Sequence, residues 1–346
     1  MVLPAPVLPS VRLTDPVFGS QPTIRVEYVA FDSHGVKSMC TRISTPDVCV
    51  TIDPGASVES ASFPLPEPRR RELASRYEQA CRFSSASSQA IVISHYHLDH
   101  FLDQRAAEVY GRKVLFAKSL KDLPPKQLAR AERFFSSISG LPEEIVWADN
   151  RRFKFKKTEI AFLGPVWHGK HDAEPGTVLM TEIRRGRDKV LITSDVSGPV
   201  ERETTDLVCA ARAQTVVLDG YPTATLSQSG PDYGLVQSIV NVCRILAEPE
   251  LKTLVIDHHM ARDYRYPAFF KIAYDKAREL KKQLGTAAEL TGRTSMVLDG
   301  LKNYGPTKWH RWFPLDPKTA RKTLETAVAQ KRTTEDWLVA FDRWIG

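Results

Sequence analysis

The sequence predicts an α/β fold in which two sheets lie between layers of helices. Three features of the pattern predict it. The chain opens on a run of neighbouring strands, continues with strands that alternate with helices, and then repeats this order. Two sheets that bury each other and are covered outside by helices satisfy such a pattern. Because no internal repeat, long low-complexity segment or clear linker divides the 346 residues, we expect one large domain.

The first group of elements is assigned from apolar periodicity and turn residues. Residues 1–22 are rich in proline and are predicted to form an N-terminal extension. Alternating apolar and polar residues predict strands, and longer runs with helical spacing predict helices. Strands are predicted over residues 23–32, 38–45, 48–53, 89–94 and 113–118. Helices are predicted over residues 69–83 and over most of residues 123–140, and another helix is predicted to begin near Asp99.

The second group follows the same rules. Strands are predicted over residues 158–166, 177–185, 188–195, 215–219 and 252–257, and helices over residues 206–213 and 235–247. The last third is largely helical, with its best periodicity over residues 268–284. Four of the six tryptophans lie in the final forty residues, which suggests that aromatic side chains dock a helical segment. We therefore expect a domain over residues 23–301 and a C-terminal helical segment over residues 302–346 packed on it.

The composition of the chain predicts where in the cell the protein is located. Hydrophobic residues make up 42% of the chain, yet no run of about 18 apolar residues would span a membrane. Prolines near the N-terminus interrupt what a signal peptide would need as a continuous apolar helix. Five cysteines occur singly and without a CxxC spacing, which argues against disulfides and against a cysteine zinc site. The expected location is the cytoplasm, with no membrane partner.

A dense histidine cluster follows one predicted buried strand. The apolar run "AIVIS" leads directly into "HYHLDHF", residues 95–101. Imidazole nitrogen and carboxylate oxygen suit zinc and related divalent metals. On an extended loop His95 and His97 point the same way and can hold one cation, whereas Asp99 and His100 lie further along and can face a second. A polar loop of exposed histidines is the alternative, but such a pattern rarely follows a buried strand by chance.

Further ligands are expected at the ends of other strands. His168 follows "FLGPVW", Asp195 follows "LITS", and His258 follows "TLVID". Since each follows an apolar strand, these side chains should gather at one edge of the sheets. His171 competes with His168, and His259 competes with His258. Adjacent side chains at a strand end point apart, so only one of the last two should bind metal, and the pattern favours His258.

These motifs resemble the metallo-β-lactamase superfamily. The resemblance rests on "SHYHLDH", on His168, Asp195 and His258, and on "TIDPG", whose Asp53 matches the acid that orients the signature loop. It spans about residues 26–263 and implies a four-layer αββα sandwich with a dinuclear site along one edge. The phrases "SHYHLDHF", "LITSDVSGP" and "VIDHHMARD" look most like a small, uncharacterised archaeal branch of predicted metal-dependent hydrolases.

The resemblance implies a role for each ligand. His95, His97 and His168 would bind a first cation, Asp99, His100 and His258 a second, and Asp195 would bridge both. Zinc is the expected metal, and manganese or iron suits the same donors. Asp99 would also be catalytic, because it could hold the nucleophile in orientation. Four further residues are expected to support the ligands or to touch substrate: Asp53, Asp257, Asp219 and His259.

The expected activity is hydrolysis by a hydroxide bridged between two divalent metals, with an ester, amide or phosphodiester as the target. The substrate would be a small molecule or a polyanion. The alternative is a nucleic-acid-processing nuclease, or an RNA- or DNA-binding protein of the same fold. The net charge of +7 and three basic runs favour it mildly, although two of the runs are predicted to be solvated turns. The C-terminal segment can cover the active-site edge or form a subunit contact.

Overall fold

Two mixed sheets face each other, and helices cover their outer sides, as the sequence predicted. The computed structural model describes residues 23–226, 232–307 and 315–346. The extension predicted over residues 1–22 lies outside the described residues, as do Trp309 and Trp312. The α/β sandwich is therefore confirmed as the fold class.

The first sheet begins antiparallel and becomes parallel. Its strands are β1 (Arg25–Phe31), β2 (Met39–Ser44), β3 (Cys49–Ile52), β4 (Ala90–Ile93), β5 (Val114–Ala117) and β6 (Glu144–Trp147). They lie side by side in chain order. The pairs β1–β2 and β2–β3 are antiparallel, and the pairs from β3 to β6 are parallel. Because direction reverses twice between them, β1, β3 and β4 end at the same edge.

The second sheet repeats this scheme. Its strands are β7 (Arg152–Phe155), β8 (Thr158–Trp167), β9 (Thr177–Arg185), β10 (Asp188–Ile192), β11 (Thr215–Leu218), β12 (Thr253–Ile256) and β13 (Gln283–Gly285). The pairs from β7 to β10 are antiparallel, and those from β10 to β13 are parallel. Strands β8, β10, β11 and β12 consequently end at one edge.

Helices fill the connections and the outer layers. They are α1 (Glu67–Ala86), α2 (Ala106–Tyr110), α3 (Pro125–Ser137), α4 (Arg202–Ala211), α5 (Tyr233–Leu246), α6 (Tyr266–Phe269), α7 (Lys271–Glu279), α8 (Ala287–Leu290), α9 (Met296–Tyr304), α10 (Pro317–Ala329) and α11 (Asp336–Trp344). Short 3₁₀ helices occupy Asp32–His34, Thr223–Thr225 and Met260–Arg262. Among the described residues, no helix is both long and apolar enough to cross a bilayer.

The layer between the sheets fixes where the strand ends lie. Val92 of β4, Phe116 of β5 and Phe162 of β8 belong to one buried cluster that draws on both sheets. The rings of Phe116 and Phe162 meet across the layer at 5.2 Å. Since side chains alternate along a strand, Ile91 and Ile93 of β4 face the other way, into the core beneath the helices. Each fully buried side chain of this size contributes about 1.5–3 kcal/mol, so the sheets are firmly held.

Differences from the predicted elements lie in short or exposed segments. The predicted strands match observed ones to within a few residues, but β6, β7 and β13 were not predicted. The helix expected near Asp99 is wrong, because residues 98–100 form a turn and α2 begins at Ala106. The basic run 151–157 contains the strand β7 as well as a turn.

The C-terminal helices pack on α5. Helices α10 and α11 both contact it. The Gln237 side chain donates to Thr333 Oγ1 at 2.8 Å, and the Arg202 guanidinium lies 4.5 Å from the ring centre of Trp337. The boundary expected after residue 301 falls within α9, so the division into 23–301 and 302–346 stays a prediction.

His34 is a buried neutral histidine, so the stability of the fold should depend on pH through its protonation. Burial, followed by the charges of Arg293 and Arg76, lowers the pKa of His34 from 6.5 to about 3. Its Nε2 accepts a hydrogen bond from Arg293 at 2.9 Å, and its ring stacks on Tyr77 at 5.3 Å. The stability that it contributes is present above pH 6.5 and is lost as the pH falls toward 3, because only the unfolded chain protonates it readily.

We expect His34→Gln to reduce the acid sensitivity of the metal-free protein. Between pH 6.5 and 4 the wild type should lose about 3 kcal/mol more unfolding free energy than the variant, at about 1.4 kcal/mol per pH unit. Urea unfolding at a series of pH values measures this. His171→Gln is the matched control, because His171 is 69% exposed. Parallel pH profiles for wild type and His34→Gln would contradict the prediction.

Candidate metal centre

The ends of six strands place acids and histidines at one edge. Asp32 follows β1 and Asp53 follows β3, while the signature loop from His95 follows β4. In the second sheet His168 follows β8, Asp195 lies three residues after β10, and His258 lies two residues after β12. This arrangement follows from the topology, since the carboxyl ends of these strands share an edge in each sheet. The two edges meet where side chains of His95 and His97 approach those of His168 and Asp195.

The first group of possible metal ligands surrounds one carboxylate oxygen. His95, His97, His168 and Asp195 each offer one ligand atom, and these atoms lie within 4.8 Å of one another. Asp195 Oδ2 lies 3.5 Å from His95 Nε2, 4.0 Å from His97 Nδ1 and 3.2 Å from His168 Nε2. By contrast, His171 is 69% exposed and pairs with Asp172.

The second group lies on the other side of Asp195. Asp99, His100 and His258 again place one atom each within 4.8 Å of the others. His100 Nε2 lies 3.2 Å from Asp195 Oδ1, and His258 Nε2 lies 3.8 Å from Asp99 Oδ2 and 3.5 Å from Asp195 Oδ2. The carboxylate of Asp195 therefore stands between the two groups, as a bridging ligand would.

A model of the metallo-β-lactamase superfamily matches residues 35–258. The chain belongs to the metallo-β-lactamase superfamily. A UPF0282 protein of Metallosphaera sedula is 33% identical over 282 residues, which cover 80% of this chain and 90% of that protein. A UPF0282 protein of Methanocaldococcus jannaschii is 30% identical over 292 residues, covering 81% and 95% respectively. These relatives confirm the archaeal branch expected from the sequence.

In fold, the chain is similar to the metallo-β-lactamase fold protein YhfI of Bacillus subtilis, with a TM-score of 0.46 and 13% sequence identity. The similarity covers 76% of this chain and 96% of that chain.

The metallo-β-lactamase fold implies divalent metal, and the donor atoms of this chain fit it. Three buried polar atoms in the two groups have no hydrogen-bond partner among the described residues: His100 Nε2, His168 Nε2 and Asp195 Oδ1. Buried polar atoms are almost always satisfied, so such a concentration needs an explanation. Metal–ligand bonds of about 2 Å place neighbouring ligand atoms roughly 3–4 Å apart, which matches the separations around Asp195. Cations at both groups would satisfy all three atoms.

The protonation states and charges of the side chains around Asp195 also favour bound cations. Burial lowers the pKa of His95 and of His97, which keeps these imidazoles in the neutral form that binds metal. Burial and the charge of Asp195 raise the pKa of Asp219 well above its usual range. Carboxylates crowd the centre, and within the described residues Arg262 is the guanidinium that reaches them. Divalent cations would offset the repulsion between these carboxylates.

Asp53 supports the signature loop from below. Its Oδ2 lies 3.0 Å from His100 Nδ1, and its carboxylate also accepts from the Ser94 backbone at 2.8 Å and the Ser94 hydroxyl at 2.6 Å. Fixing Nδ1 in this way leaves Nε2 free to bind metal. Gly55 of the same "TIDPG" motif lets the loop come close, since a Cβ there would lie 2.4 Å from the backbone nitrogen of Phe101.

Asp32 is the most important residue that sequence reasoning missed. It is fully buried, and its Oδ1 lies 3.0 Å from His258 Nδ1. Its Oδ2 accepts from the His259 backbone at 2.8 Å and from Arg262 Nε at 2.5 Å. The signal was present, because "VAFD" ends an apolar strand in an acid just as the strand before Asp53 does. The buried Glu59, 3.9 Å from Arg262, was also missed and has no comparable signal.

Asp257 does not have the role that was expected of it. It was one of the four residues expected to support the ligands or to touch substrate. Instead, Oδ1 accepts from the backbone of Ser33 at 3.0 Å and Oδ2 from the backbone of Ala287 at 2.9 Å. As the first residue after β12, Asp257 points to the side opposite His258 and joins the strand end to neighbouring segments. Asp32, from the other sheet, takes the place beside His258.

A cavity of about 420 Å³ opens beside His97, one of the possible metal ligands. Its other lining residues come from the start of α3 and from the segment before β9: Pro124, Pro125, Lys126, Gln127, Arg130, Glu174 and Pro175. Lys126 pairs with Glu174 at 2.7 Å. Within the part of the chain that the structure describes, Arg130 has no ion-pair partner. The cavity therefore offers an uncompensated positive charge next to the candidate metal centre.

Proposed function

We propose that this chain is a hydrolase that uses two divalent cations to cleave an ester, amide or phosphodiester bond. One observation supports this above all others. Six histidines place a ring nitrogen within 4.0 Å of the Asp195 carboxylate, which itself is 1% exposed. Imidazole nitrogens gathered around one buried carboxylate are the donor set that divalent cations such as zinc bind.

The residues divide the work between two positions. His95, His97 and His168 would hold one cation, Asp99, His100 and His258 the other, and Asp195 would contact both. When bound, such cations acidify a water molecule and polarise the bond under attack. Asp99 keeps 17% of its side chain exposed, so its carboxylate can also accept a hydrogen bond from water or substrate. Asp53 and Asp32 hold the imidazoles of His100 and His258 in orientation.

The experiment is a substrate panel assayed with metal-depleted and metal-restored protein. At least one of the three classes, esters, amides or phosphodiesters, should be turned over, and only after zinc, manganese or iron is restored. Asp99→Asn should lower turnover at least ~100-fold, while His171→Ala should leave it unchanged. Metal analysis should find about two ions per chain. Turnover that survives chelation, or full activity in Asp99→Asn, would overturn the proposal.

A second candidate, hydrolysis of phosphodiesters in a polyanion such as nucleic acid, is favoured by the cavity beside His97. Arg130 and Lys126 bring positive charge to this cavity, and guanidinium groups suit phosphate oxygens. The chain as a whole is also basic, with a net charge of +7. Binding of RNA or DNA should then weaken steeply as salt rises.

We expect Arg130→Gln to raise KM for anionic substrates about tenfold with little change in kcat, since one charge-assisted hydrogen bond is lost. Neutral ester substrates should not respond. Arg133→Gln is the matched control, because Arg133 lies on the same helix but is exposed and is not among the residues that line the cavity. Equal KM changes in the two variants, or an effect on neutral esters, would count against an anion subsite.

A further inference from the structure

His259 adopts a backbone conformation that turns its ring toward the metal centre. Successive side chains on an extended strand point to opposite sides, so we expected His258 and His259 to diverge. In the structure the two side chains do not diverge, because the backbone of His259 leaves the extended conformation, with φ 64° and ψ −49°. A positive φ is uncommon for a residue other than glycine and often marks strain at a functional position. The two imidazole centres consequently lie 4.2 Å apart.

Two carboxylates hold His259 in this position. The backbone N–H donates to Asp32 Oδ2 at 2.8 Å, which fixes the strained turn. The ring Nδ1 lies 2.9 Å from Asp219 Oδ1, and Asp219 Oδ2 accepts in turn from the Ser197 backbone at 2.7 Å. With Nδ1 donating to this carboxyl group, Nε2 presents its lone pair to the interior of the site. Such a carboxylate–imidazole pair is the usual support of a metal-binding histidine.

The inward nitrogen reaches the bridging carboxylate. His259 Nε2 lies 4.0 Å from Asp195 Oδ2, and His258 Nε2 lies 3.5 Å from the same oxygen. Asp195, His258 and His259 offer ligand atoms that all lie within 4.8 Å of one another. These separations are close to the roughly 3–4 Å expected between ligands of one cation. The arrangement is a third set of donors that shares two members with the sets already described.

We propose that His259 is an additional metal ligand, whose Nε2 binds a cation together with Asp195 and His258. The inner set then has eight residues, beyond the seven that the sequence pattern identified. A further imidazole shifts the donor set toward nitrogen, which favours zinc, cobalt(II) or iron(II) over magnesium. Asp219 becomes a positioning residue that acts through His259. This inference rests on the proposed metal centre but not on hydrolysis.

The test uses cobalt(II) in the full-length protein, because its visible absorption reports the ligands directly. Metal-depleted wild type, His259→Ala, His258→Ala and the surface control His171→Ala are titrated with Co²⁺ against a competing chelator. We expect His259→Ala to bind one Co²⁺ about 10–100-fold more weakly and to change its absorption bands. Added imidazole should restore the bands. Asp219→Asn should weaken the same ion to a smaller degree.

The outcomes separate this inference from the metal centre itself. If His258→Ala loses Co²⁺ affinity while His259→Ala keeps wild-type affinity and bands, His259 is not a ligand and the inference is overturned. The same holds if His259→Ala loses only turnover. If neither His258→Ala nor His259→Ala alters Co²⁺ binding, the metal centre as described is itself wrong. Circular dichroism of each variant distinguishes loss of a ligand from loss of the fold.

Discussion

Asp195→Asn is expected to abolish both metal loading and hydrolysis. The substitution keeps the shape of the side chain but removes its charge, and it directs an amide N–H₂ group toward imidazoles that must offer lone pairs. Burial opposes ionisation of Asp195, yet the positive charges of His100 and His258 outweigh it and hold the pKa of this carboxyl well below its usual range. Metal affinity should fall more than ~100-fold and turnover by at least ~10³-fold.

Metal analysis after dialysis and turnover on the best substrate of the panel measure these losses. Asp206→Asn is the matched control, because Asp206 is 59% exposed and pairs with Arg244 at the surface. The control should retain wild-type metal content and activity. An Asp195→Asn protein that keeps two ions and normal turnover would show that this carboxylate does not bridge the centre.

Asp32→Asn is expected to lower metal affinity, although Asp32 is not itself one of the proposed ligands. It removes the acceptor for His258 Nδ1 and leaves the partly buried guanidinium of Arg262 without its shortest ion pair. Loss of such a supporting carboxylate lowers metal affinity by about 10–100-fold. Removing one partner of a buried ion pair should also lower the unfolding free energy by about 3 kcal/mol, the low end of the range because Arg262 keeps Asp99 and Glu59 nearby.

Chelator competition and urea unfolding of the metal-free protein separate the two effects. Asp47→Asn serves as control, since Asp47 accepts from Arg185 at 3.0 Å in an ion pair remote from the metal ligands. It should lose some stability and keep wild-type metal affinity. Unchanged affinity in Asp32→Asn would mean that His258 needs no carboxylate to hold its ring.

The candidate metal ligands could be picked out from the sequence because the segments that carry them follow apolar strands. Both the strand and the polar residue are read from one short window, as with "TLVIDH" before His258. Because the carboxyl ends of these strands share one edge of each sheet, the topology alone brings residues from distant parts of the sequence together. The fold followed for the same reason, since strand and helix periodicity is local. Strands β6, β7 and β13 were missed because they are short and mostly exposed or half-buried, so no apolar run marks them in the sequence.

The support around the ligands was harder to predict because it depends on distant pairs. Asp32 and His258 are 226 positions apart, and local spacing does not say which of several strand-end acids faces which imidazole. Asp257 and Asp32 are both strand-end acids, and it is Asp32 that lies beside His258 Nδ1. His259 illustrates a different difficulty, because its positive φ results from tertiary contacts and reverses the side that alternation predicts.

The candidate ligands are divided between the two halves of the chain. The first sheet supplies the loop from His95 to His100, the second supplies His168, Asp195 and His258, and the hydroxyls of Ser94 and Ser194 meet between them at 2.6 Å. During synthesis, the emerging N-terminal half therefore carries an incomplete set of donors. Cation binding at the proposed centre would therefore require the second half, and a bound cation would report that both sheets have assembled. A truncated product that ends before β10 would lack Asp195 and His258 and would not bind the cation in this way.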